Sequence, residues 1–254
     1  MRTVAVPSPW LSRAATLWFL VAATGLAIFT AYIGLSYGRA ALGGAPGEAR
    51  WVLGDALGNG LLSAHLVAGL LLSALGVLQL VPALRRAAPA WHRWGGRLFM
   101  VGAVIASLSG FYLVWMRGTV GDASMHVAMS LNGVLIVVFA WRAWQHARAR
   151  QFDQHRRWAL RLFLAANGVW FFRVGLMLWL LIWQQPVGFD PKTFTGPFVT
   201  ALSFGQFLLP LGVLELYLRT RGRGRLMALG LVLCSLATAV GIFGAVMGLW
   251  LPQL

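Results

Sequence analysis

Cysteine is nearly absent from this chain: Cys234 stands alone, inside the last apolar run. A single thiol forms neither an intrachain disulfide nor a thiolate metal site. Acids are almost as scarce. The six of them are scattered along the sequence and compose no carboxylate dyad. There is no HExxH motif, no phosphate-binding glycine loop followed by Lys, and no nucleophile elbow. No polar stretch is long enough to bury a core of its own, which excludes a soluble domain. Alternating strand patterns of about ten residues are missing too, so the chain does not read as an outer-membrane barrel. The net charge of +15 does not point to nucleic acid, because no soluble basic module exists to bind it.

What fills the chain is apolar sequence: 59% of residues are hydrophobic, 11% are charged, and the mean hydropathy is +0.74. Runs of about 20 apolar residues predict membrane-spanning helices. Seven spans emerge, near residues 14–37, 61–84, 91–116, 122–145, 155–183, 198–218 and 226–250. The first is too long for a typical signal-peptide core and reads as a retained helix. Residues 38–60 form a glycine-rich loop with Glu48, Arg50 and Asp55, and residues 186–197 form a second loop. Asp122 is placed to cap the fourth span, and Pro210 to kink the sixth. The expectation is an all-α, polytopic membrane protein, a single integral membrane domain over residues 1–254.

Of the cations, 20 are Arg and one is Lys. Arg2, Arg13, Arg85, Arg86, Arg93, Arg97, Arg142, Arg148, Arg150, Arg156, Arg157, Arg161 and the four arginines of 219–225 fall on one side of seven alternating spans. Only Arg39, Arg50, Arg117 and Lys192 fall on the other. The positive-inside rule makes the N-terminus cytoplasmic and the C-terminus external. The short basic connections read as topology signals and lipid headgroup contacts.

Residues 61–182 hold the chemistry. The second to fifth spans each carry a histidine near the first turn: His65, His92, His126 and His155. Alternation puts His65 and His126 on the external side and His92 and His155 on the cytoplasmic side. Two opposed imidazoles at each of two depths is a layout for bis-histidine heme in a helical bundle. A flat macrocycle needs little bulk beside each ligand. One turn on, at i+4, stand Gly69, Gly96, Ser130 and Ala159, all small. Small residues also serve plain helix packing. Arg93, Arg97, Arg156 and Arg157 are placed to bind heme propionates or to act as topology signals. Arg173, deep in the fifth span, requires a partner: a propionate, Gln206 or an anionic substrate. Glu215 pairs with a basic neighbour or relays protons, and His146 is solvated at a basic helix end.

Two resemblances add to this. The stretch from His65 through Gly69, Gly76 and Gln79 to Arg85, then His92-Arg93 with Gly96-Arg97, then His155-Arg156-Arg157-Trp158, resembles a bacterial family catalogued as domain of unknown function 2306. The resemblance covers about residues 60–218, Arg173 and Glu215 included. It implies a bacterial inner-membrane, multi-pass protein and no known activity; His126 is not part of its pattern. The histidine layout also resembles the diheme transmembrane cytochromes b, which move electrons from ascorbate or quinol. That likeness implies one or two b hemes, ligated by His65 with His126 and by His92 with His155. The partner would be a quinol or a soluble electron donor or acceptor. Two rivals stand beside it. One is a non-heme copper, iron or zinc protein recruiting Asp55 and Asp122. The other is a cofactor-free transporter or assembly factor using Arg173 and Glu215, for which broken helices are expected.

Overall fold

A computed structural model describes residues 9–41, 51–220 and 224–254. Arg2, Glu48, Arg50, Arg221 and Arg223 lie outside these residues, and so does the side chain of Arg39. The described residues are helical apart from short connections. The elements are α1 (Pro9–Ala41), α2 (Ala56–Leu80), the short α3 (Pro82–Ala87), α4 (Pro89–Tyr112), α5 (Ala123–Arg148), α6 (Phe152–Ala166), α7 (Gly168–Trp183), α8 (Pro197–Arg219) and α9 (Gly224–Ala245). π-helical turns over Leu113–Gly118 and Val246–Trp250 extend α4 and α9.

The helix starts have local causes. Asp55 and Asp122 cap α2 and α5, accepting from Gly58 N at 2.8 Å and Met125 N at 3.0 Å. Pro82, Pro89 and Pro197 open α3, α4 and α8, where a missing N–H costs nothing. Three expectations need correction. The second span begins at Ala56 and not at residue 61, so His65 is the tenth residue of α2. By helix rise that is about 13 Å from the helix start rather than one turn. The same span stops at Leu80, because Pro82 holds Val81 extended, and α3 is a separate turn and a half. The fifth span is two helices bent by 54°. By contrast α8 runs unbroken through Pro210.

The bend sits at Asn167. Its side-chain amide donates to Phe163 O at 2.8 Å, competing with the backbone ladder. Its own carbonyl takes the N–H groups of Trp170 and Phe171, which starts α7 afresh.

Among the described residues six helices are long and apolar enough to cross a membrane, seven crossings if α6–α7 counts as one. Packing decides the count. Along α1 and α9, Gly25 meets Ile242, Phe29 meets Trp250 and Tyr32 meets Gln253. Both numbers rise together, so the two helices run parallel. Parallel ends require an odd number of crossings between them. α2, α4, α5 and α8 supply four, and the bent pair α6–α7 supplies the fifth. α7 also runs parallel to α9: a Cβ on Gly241 would lie 2.5 Å from Val174 O, so only glycine admits the α7 backbone there, and Gly244 lies by Met177. Seven spans result.

The core runs through the middle of this bundle, from Leu26 and Phe29 through Phe99, Phe139 and Phe163 to Trp170 and Trp250. Large apolar side chains elsewhere face outward in numbers, as lipid-facing helices require.

Candidate functional site

On the arginine-rich side, three helix ends meet around His92 and His155. Each is the fourth residue of its helix, α4 and α6. His155 Nδ1–H donates to Ala143 O on α5 at 2.9 Å. That bond fixes one tautomer and leaves Nε2 with its lone pair. His92 is partly buried and lies within electrostatic range of Arg85 and of His155. α5 packs against both α4 and α6 and forms the back wall. Two turns deeper, Phe99 and Phe163 close the floor, converging on Gly76 of α2, where a Cβ would lie 2.9 Å from Phe99 and 3.1 Å from Phe163.

The last turn of α2 adds Gln79, whose amide lies against Gly95 and Gly96. Its Nε2 is buried and has no acceptor among the described residues. A buried N–H donor without an acceptor is costly.

Arg93, Arg156 and Arg157 are exposed at the rim. Arg97 lies 4.6 Å over the Trp94 ring and borders a groove of about 560 Å³ between α4 and α5, with Met100 and Trp141. The predicted propionate-binding arginines thus divide between the rim of the cup and a lipid-facing groove.

On the opposite side, the His65 ring packs against α4. Its Nδ1–H donates to Ala106 O at 2.9 Å, with Ser109 Oγ at 3.1 Å, and again Nε2 keeps its lone pair. Nothing lies within 4 Å of a Cβ built on Gly69. His126 is the fourth residue of α5, edge-on to Trp115 with centroids 5.7 Å apart. Its Nε2 is buried without a partner among the described residues. Trp115 Nε1 donates to Ser130 Oγ at 2.9 Å, so the indole covers the small residue one turn from His126. Ala106 and Trp115 are nine positions apart on α4 and its π-helical extension. The two external imidazoles touch α4 at different levels.

Asp55 and Asp122 both serve as caps, and Asp55 also faces Arg117 at 3.7 Å, while Arg117 reaches Asn59 Oδ1 at 2.8 Å. Among the described residues no group of three or more His, Cys, Asp or Glu gathers as a metal would need. Glu215 receives Arg161 through Nε at 2.7 Å and Nη2 at 2.6 Å, with Arg219 at 3.8 Å. Arg173 stands 5.5 Å over the Phe29 ring of α1. Gln206 is turned elsewhere, donating to Ser203 O at 2.9 Å and lining Gly168. His146 bonds Gln151 Oε1 at 2.7 Å at the exposed end of α5.

Two features escape sequence reasoning. Gln79 enters the pattern of the resemblance with no chemical role. The polar belt at the bend, with Asn132, Asn167, Ser203 and Gln206, was legible only as Asn-Gly in the middle of an apolar span.

Comparison with curated proteins finds no match, and comparison with solved structures finds none either. A family model does match, over residues 62–209, which takes in the cup, the external histidines and the bend. The chain is a multi-pass membrane protein and belongs to the family described as predicted membrane protein (DUF2306).

Proposed function

We propose that this protein is a b-type cytochrome of the bacterial inner membrane, carrying electrons within or across the bilayer. One heme b would be held by His92 and His155, and a second by His65 and His126. The reading rests above all on this end of the bundle: His155 is pinned through Nδ1 to Ala143 O, His92 lies within electrostatic range of it, and Phe99 and Phe163 converge on Gly76 two turns deeper. Ligating imidazoles characteristically donate the other ring nitrogen to a carbonyl, and both His155 and His65 do so. Nε2 of His126 is buried without a partner among the described residues, which suits a ligand role, although His65 and His126 touch α4 at different levels and Trp115 would have to leave Ser130 to admit a macrocycle. Heme supplies the one-electron chemistry when bound. The chain's own residues supply ligands, a water-excluding floor in Phe99 and Phe163, and positive charge at the rim from Arg93, Arg156 and Arg157 for propionates. A quinol or a soluble reductant or oxidant is the exchange partner.

The test is optical. Protein purified from heme-replete cells and reduced with dithionite should show a b-type α band. His92→Ala and His155→Ala should each remove the cytoplasmic heme, and His126→Ala the external one, by pyridine hemochromogen stoichiometry. A colourless protein sinks the reading.

A second reading is supported by the bend in α6–α7. A discontinuous helix lined by polar side chains is the layout of transporter binding sites. Here Asn132 keeps a buried Oδ1 with no partner among the described residues, beside the α7 N-terminus. In that reading the bend carries a substrate, and no histidine substitution changes transport through loss of heme.

A further inference from the structure

The first turns of α1 and α9 are separated, on the arginine-rich side, by a groove of about 610 Å³. Its floor is set by two small residues, Ala14 and Ala228, 5% and 8% exposed. Leu229 forms one apolar wall, and the mouth carries Arg13 and Arg225, with no acid among the lining residues. Trp10 holds Arg13 at the rim, 5.7 Å from ring centroid to guanidinium. The parallel course of α1 and α9 puts both arginines at the same depth, at a membrane boundary.

We propose that this groove is a binding site for an anionic phospholipid. One acyl chain lies along the alanine floor and the phosphate sits between the two guanidiniums. The apolar walls exclude a hydrated free anion as the main occupant. Charge selects the headgroup: two guanidiniums donate several N–H groups to phosphate oxygens in fixed geometry. Basic pockets between spans on the cytoplasmic side are the recurrent form of such sites.

Native mass spectrometry of the delipidated full chain, titrated with phosphatidylglycerol or with phosphatidylcholine of the same chains, tests this. The wild type should retain one phosphatidylglycerol in preference to phosphatidylcholine. Arg13→Gln/Arg225→Gln should weaken retention of the anionic lipid about thirtyfold, from about one charge contact per arginine. Leu229→Trp keeps both arginines, fills the wall from an exposed position and should also displace the lipid. Arg148→Gln/Arg150→Gln, on the same side but outside the groove, should leave retention unchanged. The inference falls if the two lipids are retained equally, if Arg148→Gln/Arg150→Gln weakens binding as much as the groove variant, or if Leu229→Trp has no effect. It falls equally if retention appears only after removal of residues 1–8, because those residues would then be the natural occupant.

Discussion

Individual side chains make the sharpest statements in this protein. Gln79 Nε2 is buried with no acceptor among the described residues, and an unsatisfied buried donor opposes folding. Gln79→Leu should raise the thermal stability of the heme-free protein by about 1–3 kcal/mol. The same change should lower heme occupancy in heme-replete cells if the amide serves the ligand. Stability is read by thermal unfolding and occupancy by absorbance. Loss of stability in the empty protein would mean that Gln79 has an acceptor within the chain. Glu215 makes a second statement. Its pair with Arg161 is 33% and 17% exposed, so breaking it costs less than the 3–5 kcal/mol of a fully buried pair. Glu215→Gln should cost about 1–2 kcal/mol. Arg219→Gln should cost under about 0.5 kcal/mol, because Arg219 is 81% exposed and its contact is long. Equal losses in the two variants would place the stabilisation on the wrong cation.

Elements come next, and the bent span is the one that departs from its sequence reading. Hydropathy sees residues 155–183 as one run because the average hides two adjacent residues, Asn167 and Gly168. Asn167 holds the bend through its bond to Phe163 O. Asn167→Leu should remove that bond and allow the helix to straighten. Spin labels replacing Asp153 and Gln184, in a background where Cys234 is Ser, report the change. Straightening a 54° bend should lengthen their separation by about 5 Å, given the rise per residue. An unchanged distance would show that packing against α5 and α8 imposes the bend. α3 illustrates the opposite case. Its separation from α2 follows from Pro82 alone, and the sequence reading overran it by counting hydropathy where backbone chemistry governs.

At the scale of the molecule, parallel packing of α1 on α9 requires an odd number of crossings between them, which with the described helices makes seven in all, and the arginine distribution orients them. A reporter fused after Thr220 should therefore be cytoplasmic, and one fused after Leu254 external. Alkaline phosphatase should be inactive at the first site and active at the second, with green fluorescent protein giving the reverse. Activity at both sites, or at neither, would remove one crossing and contradict the parallel pair.

The spans and the weighting of positive charge toward one side were legible in composition, because apolar length and arginine placement act through the bilayer and not through a specific partner; that the bent pair α6–α7 counts as one crossing followed only from the packing of α1 on α9. The caps at Asp55 and Asp122 were local enough to be determined the same way, though only Asp122 was read as one. What only the tertiary structure decided is which groups face each other. His155 is held by α5 through Ala143 O, and His92 of α4 comes within electrostatic range of it. Gln79 lies against Gly95 and Gly96 of α4, in the last turn before Pro82 ends α2. Arg173 lies over the Phe29 ring of α1, and Gln206 donates to Ser203 O. Distances between residues far apart in sequence arise from how helices bend and pack, and neither is written in hydropathy.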